Sequence, residues 1–178
     1  MAILKISRLG HPVLLRRADP IPDPAAPEMR RLAADMAETM LDANGLGLAA
    51  PQVHIPLRLF VMRHENAVIA FFNPEYSALS EETEPGWEGC LSIPGLRGEV
   101  PRFKRIAWTA QDVEGRPIRG DAEGLAARVI QHETDHLDGI LYPMRMPDLS
   151  RLGFNEELAR HDPATQRMPG DPRPAPGR

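Results

Sequence analysis

Residues 132–136 read His-Glu-Thr-Asp-His. On an α-helix, at about 100° per residue, His132 and His136 lie about 40° apart and one turn apart along the axis. Both imidazoles can then grip one divalent cation at the usual nitrogen–metal distance of about 2.0–2.1 Å. Glu133 sits at the edge of that face. It is too far round to be the obvious third ligand, but near enough to touch a water on the cation. Such an ion lowers the pKa of its water from about 16 toward about 7. A carboxylate can take the released proton and pass it to a leaving group. A histidine pair on a helix can also be plain surface. Here Leu125, Val129, Ile130 and Leu137 flank the motif, so its face should be partly buried. Buried imidazoles are costly without partners, which favours the cation.

Two histidines leave a tetrahedral catalytic ion short of one protein ligand. A third histidine six positions after the second is ruled out, because Tyr142 stands there. Glu156, in Asn155-Glu156-Glu157, falls about twenty positions on and is one candidate. Cys90, in Glu88-Gly89-Cys90-Leu91-Ser92, is the other. A lone cysteine is more often a small core hydrophobe. This one follows a glycine in a stretch, 85–89, that reads as loop, and a thiolate suits Fe(II) or Zn(II). Spacing leaves both candidates open. A closed, non-catalytic metal site would need a further ligand from His11, His54, His64 or a carboxylate, and no spacing points to one.

The elements that must position these groups read as follows. Met29, Leu32, Ala33, Met36, Met40 and Leu41 recur three and four apart, which predicts an amphipathic helix over 25–43. Pro20, Pro22, Pro24 and Pro27 bar an earlier start, and Gly45 is the stop. An extended segment over 3–6 and a turn at Gly10 precede it. Residues 57–63 and 67–72 are β-rich and form a hairpin through His64-Glu65-Asn66. Residues 79–86 are acidic and read as loop. A second hairpin spans 103–110 and 117–119. Asp121 is an N-cap candidate for a helix over about 122–138 that carries the motif, with Gly139 as its stop. A short helix falls within 150–160. Residues 163–178 are rich in proline and glycine and read as a disordered tail after one domain at 1–162. Strands and helices mix without βαβ alternation, which places the fold in the α+β class.

Composition narrows the setting. A chain of 178 residues holds one domain and a sizeable core. No apolar run approaches the roughly 20 residues of a membrane span, and the start is too short and too charged for a secretory leader. One cysteine cannot close an internal disulfide, so a cytosol-like compartment is the simplest home. The net charge of -4 and 5% aromatic content offer nucleic acid neither a basic face nor a stacking platform.

A third motif joins the two already described: Gly45-Leu46-Gly47-Leu48-Ala49-Ala50-Pro51-Gln52. With these three motifs in this order, over residues 3–149, the chain resembles the peptide deformylases. These metalloenzymes remove the formyl group from the N-terminal formyl-methionine of new polypeptides and release formate. The resemblance implies antiparallel sheets packed around a central helix that carries the histidine motif. It makes Cys90, His132 and His136 the metal ligands and Glu133 the general acid/base. Gln52 and the Leu91 N–H would hold the developing oxyanion. Gly45, Leu46, Gly47, Gly89 and Arg97 would contact substrate, the bare glycines letting a peptide strand approach. Fe(II) is the family's usual ion, with Zn(II), Ni(II) or Co(II) as alternatives. Substrates would be nascent formyl-methionyl peptides, in the cytoplasm or an organelle. Some members dock on the ribosome through a basic C-terminal helix. This tail, with its dispersed arginines, does not match that element. Arg128 departs from the apolar or small residue common four positions before the first motif histidine, which bears on the wall of the methionine pocket. Arg102 and Asp135 are read as a pair supporting the metal helix.

Overall fold

The computed structural model describes residues 2–65, 67–161 and 165. The elements run α1 (Pro27–Asp42), β1 (Gly47–Ala49), β2 (Leu59–His64), β3 (Ala67–Ala78) and β4 (Thr83–Cys90). They continue with β5 (Ile93–Phe103), β6 (Arg105–Gln111), β7 (Pro117–Glu123), α2 (Gly124–Leu137), β8 (Leu152–Phe154) and α3 (Asn155–His161). One antiparallel sheet has the order β1-β2-β3-β6-β7 and a second the order β4-β5-β8. The α+β expectation holds. The tail expected at 163–178 lies outside the described residues, Thr165 apart.

Both faces of the larger sheet are covered, and β2 shows how. Its residues Phe60 and Met62 pack against Val129, Ile130 and Leu137 of α2. Leu59 and Val61, on the opposite face, pack against Met36 and Met40 of α1. Side chains alternate along a strand, so a strand sandwiched between two helices must be apolar throughout. A third cluster, Leu14, Ile93, Val100, Leu141 and Tyr142, joins the smaller sheet to the turns around it.

Helix α2 is thus enclosed, and every residue from Ala127 to Leu137 is buried. Polar side chains at positions 128 and 131–136 are therefore buried, where an unpartnered polar group is costly. Both long helices end in hydrogen-bonded Schellman turns. At α1 the left-handed residue is Asn44, while Gly45 N–H donates to Met40 O at 2.8 Å. Gly45 is therefore one position beyond the stop expected of it. At α2 the left-handed residue is Gly139, with φ +74°, and Ile140 N–H donates to Asp135 O at 2.8 Å.

Several expectations are corrected. The loop expected over 79–86 gives way to β4 at Thr83, and the stretch 85–89 is strand. Strand β5 was not foreseen. Glycine and proline give these segments low β-propensity, and pairing with each other overrides it. Pro85 stands opposite Pro101, beyond the Leu96–Gly98 stretch that β8 covers, where a missing N–H is tolerated. Asp121 is no N-cap: it lies within β7 opposite Ala107, and Glu123 takes the cap position without a side-chain bond. Residues 3–6 join no sheet. Leu4 N–H instead donates to Thr39 Oγ1 at 2.8 Å, fastening the segment to α1.

A Cβ at Gly139 would lie 2.7 Å from Leu15 O in a backbone conformation that disfavours side chains. Gly139→Ala is expected to lower stability by at least about 2 kcal/mol, read as a lower urea midpoint at unchanged slope. An unchanged midpoint would contradict the packing described.

Candidate active site

Strand β4 and helix α2 run side by side in the same sense. Two strand residues span about 6.6 Å and four helix residues about 6 Å, so the two repeats nearly match. Glu88 meets His132, and two strand positions on, Cys90 meets His136. His132 Nδ1–H donates to Glu88 Oε2 at 2.8 Å, and Cys90 Sγ lies 3.2 Å from His136 Nε2. The donor atoms of Cys90, His132 and His136 all lie within 4.8 Å of one another. Neither Glu156, which is exposed, nor His11, His54 or His64 joins this cluster among the described residues. Two imidazoles from one helix and a thiol from the adjacent strand fit a divalent cation of the zinc or ferrous type.

Behind the cluster stands a buried ionic lattice. Glu88 is fully buried and takes Arg102 Nε at 2.9 Å and Arg102 Nη2 at 3.0 Å. Arg102 also donates to Asp135 Oδ2 at 2.5 Å, as read from the sequence, and Arg145 Nη2 donates to Asp135 Oδ1 at 2.8 Å. Burial alone would raise the Glu88 pKa, but hydrogen bonds from His132 and Arg102 outweigh it and hold the carboxyl well below the usual range. An ionised Glu88 pins the proton of His132 on Nδ1 and leaves Nε2 to face the cluster. Glu133 has the opposite fate. Burial pushes its pKa up to about 7, and Oε2 meets no hydrogen-bond partner among the described residues. Such a carboxyl can both accept and return a proton near neutral pH.

A cavity of about 320 Å³ opens in front of the cluster. Gly45, Leu46, Gly47, Gln52, Gly89, Cys90, Leu91, Arg97, His132 and Glu133, all expected at the site, line it together. Gln52 is buried rather than a surface amide. Its Oε1 accepts from Ala49 N–H at 2.8 Å, which turns Nε2 toward Cys90 Sγ, 3.4 Å away, and Ser92 Oγ at 3.2 Å. Strand β5 bulges between Arg97 and Ile93, and its Pro94, Gly95 and Leu96 form a rim of the cavity. Arg97 also donates to Thr165 O at 3.4 Å.

Two expectations need correction here. The bare positions at Gly45 and Gly47 are filled by neighbouring side chains, although both residues line the cavity. A Cβ on Gly47 would overlap the Glu133 carboxylate, and one on Gly45 would lie 3.0 Å from Leu91 Cδ1. The glycines make room for the protein's own side chains. Arg128 does not line the cavity; it lies behind Glu88, its guanidinium filling the space left by Gly86. Sequence reasoning also missed Glu88 and Tyr142, whose buried ring stacks near His132 with centroids 6.3 Å apart. Glu88 could have been found from its place two residues before Cys90, had 83–90 been read as a strand.

Water activation beside a proton-accepting carboxyl is hydrolytic chemistry, so the fold and site together define a metallohydrolase. Residues 3–152 match the polypeptide deformylase family, and the chain belongs to that family. It is 47% identical over 163 residues to peptide deformylase 1 of Bordetella pertussis, covering 86% of this chain and 93% of the relative. Peptide deformylase 2 of Ralstonia nicotianae is 45% identical over 172 residues, with 91% and 97% covered. Among solved structures, peptide deformylase from Thermotoga maritima superposes with a TM-score of 0.80 at 41% identity, covering 83% of this chain and 100% of that one. The actinonin complex of a peptide deformylase from Synechococcus elongatus gives 0.81 at 38% identity, covering 90% and 86%. The chain is thus a metal-dependent hydrolase that removes the N-formyl group from nascent peptides.

Because Gly47 touches Glu133, Gly47→Ala is expected to displace that carboxylate and lower kcat for formate release about a hundredfold, with metal content unchanged. Wild-type kcat in this variant would contradict the contact.

Proposed function

We propose that Cys90, His132 and His136 bind one divalent cation, Fe(II) in the cell, and that the cavity before them takes the formyl-methionyl end of a peptide. The observation that supports this most is the convergence of three soft or borderline donors from two elements, with His132 oriented by Glu88. The cation, when bound, acidifies a water and polarises the formyl oxygen. Glu133 would take the proton of the attacking water and deliver it to the departing amine, a task that suits a pKa of about 7. Gln52 Nε2 and the Leu91 N–H donate to the oxyanion that forms as the formyl carbon becomes tetrahedral. The clamp on Gln52 Oε1 keeps its donor aimed before substrate arrives.

Strand β1 is the edge of its sheet, and its first residue, Gly47, lines the cavity together with Gly45 and Leu46 just before it. An extended peptide adds there as a further strand, held by main-chain hydrogen bonds. Gly89 and Arg97 bound it on the other side. We place the catalytic domain at 1–162, the tail at 163–178, and the protein in the cytoplasm, where formylated chains emerge. No ribosome-docking element is assigned.

Cys90→Ala is expected to lose both metal and formate release, while Glu156→Ala keeps both; the reverse pattern would favour a protease-like ligand set. Glu133→Gln should retain stoichiometric metal by elemental analysis and lose turnover of a formyl-Met peptide. Gln52→Ala should lower kcat by about 10²–10³-fold. Full activity in Glu133→Gln would overturn the proton-transfer role.

A further inference from the structure

Arg128 has no part in the chemistry above, yet its side chain is buried and heavily bonded. It lies one helical turn before His132 on the same face of α2. Its Nη1 donates to Glu88 Oε1 at 2.9 Å, to Val100 O at 2.8 Å and to Gly86 O at 3.4 Å. Its Nη2 donates to Glu84 O at 2.7 Å. A Cβ at Gly86 would lie 2.7 Å from the guanidinium carbon, so the fit depends on glycine at that position.

We propose that Arg128 is a positioning residue for the metal site, fastening α2 to β4 and fixing the carboxylate that orients His132. The inference rests on the ligand set proposed above. The ligands come from two elements that no covalent link holds close, Cys90 ending β4 and both histidines on α2. Their spacing depends on how β4 lies along α2. The contacts make three rungs: Arg128 with Gly86 and Glu88, His132 with Glu88, and His136 with Cys90. The first rung is the only one of the three with bonds to the β4 backbone itself, through Glu84 O and Gly86 O.

The division of Glu88 supports the same role. Oε1 receives Arg102 Nε and Arg128 Nη1, while Oε2 receives Arg102 Nη2 and His132 Nδ1. Arg102 comes from β5 and Arg128 from α2, so the carboxylate is gripped from two directions and cannot swing off His132 without breaking a charged bond. Removing Arg128 strips donors from one carboxylate oxygen and three carbonyls in a water-poor interior.

The test loads Co(II) anaerobically and reads three things: the thiolate-to-cobalt absorption band, the affinity against a competing chelator, and thermal unfolding of the metal-free protein. Arg128→Met should weaken Co(II) binding about tenfold or more and alter the band. Gly86→Ala keeps every charge but pushes on the guanidinium, and should do the same. If Arg128→Met does not fold, Gly86→Ala decides. The double variant should bind no more weakly than Arg128→Met alone, because both changes act through the one guanidinium. Cobalt affinity within about twofold of wild type and an unchanged band in the folded variants, whatever the melting temperature, would reduce Arg128 to a structural staple and overturn the proposal. A wild-type complex without any thiolate band would instead sink the ligand set itself, and the proposal with it.

Discussion

The near-equality of two backbone repeats, two residues of strand against four of helix, is the constraint from which the site follows. It allows one face of β4 and one stripe of α2 to meet residue for residue. Cys90 and His136 close on each other only because Glu88 and His132 are already matched one step earlier. A register slip of one residue in β4 would turn Glu88 and Cys90 to the other face of the strand. The antiparallel partner β5 prevents that slip, and its Arg102 ties the pair to α2 through Glu88 and Asp135.

This arrangement is costly. Glu88 and Asp135 sit in the interior with Arg102 and Arg128, and taking such groups out of water is seldom repaid in stability. The repayment is geometric. Two imidazoles, a thiol and an amide are held in fixed relation beside one cavity. The same enclosure that demands partners for these charges also raises the pKa of Glu133, which faces the cavity and whose Oε2 meets no hydrogen-bond partner among the described residues. One burial environment thus yields two carboxyls of opposite character, distinguished by which has arginines and an imidazole within hydrogen-bond reach.

Much of this was legible in the sequence, and the parts that were not share a cause. The two long helices declared themselves through apolar spacing, and the hairpin of β2 and β3 through β-rich runs around a turn. Gln52, Cys90 and Glu133, one from each of the three motifs, line one cavity. The smaller sheet stayed hidden, because Pro85, Gly86, Gly89, Pro94, Gly95 and Pro101 carry almost no strand signal. That loss concealed the role of Glu88 and made Arg128 look like a pocket wall. A glycine on one strand and an arginine on a distant helix form a complementary pair only in three dimensions, and no local pattern in either segment announces it. The glycines at 45 and 47 were flagged for space, but the occupants proved to be Leu91, Met40 and Glu133.

The central claim, one sulfur and two imidazoles around a single cation, is most directly tested by metal K-edge X-ray absorption on the Zn(II)- or Fe(II)-loaded protein. The account predicts one sulfur scatterer, at about 2.3 Å for zinc, with nitrogen or oxygen scatterers at about 2.0–2.1 Å that include two imidazole rings. A first shell of nitrogen and oxygen alone, with no sulfur, would contradict it.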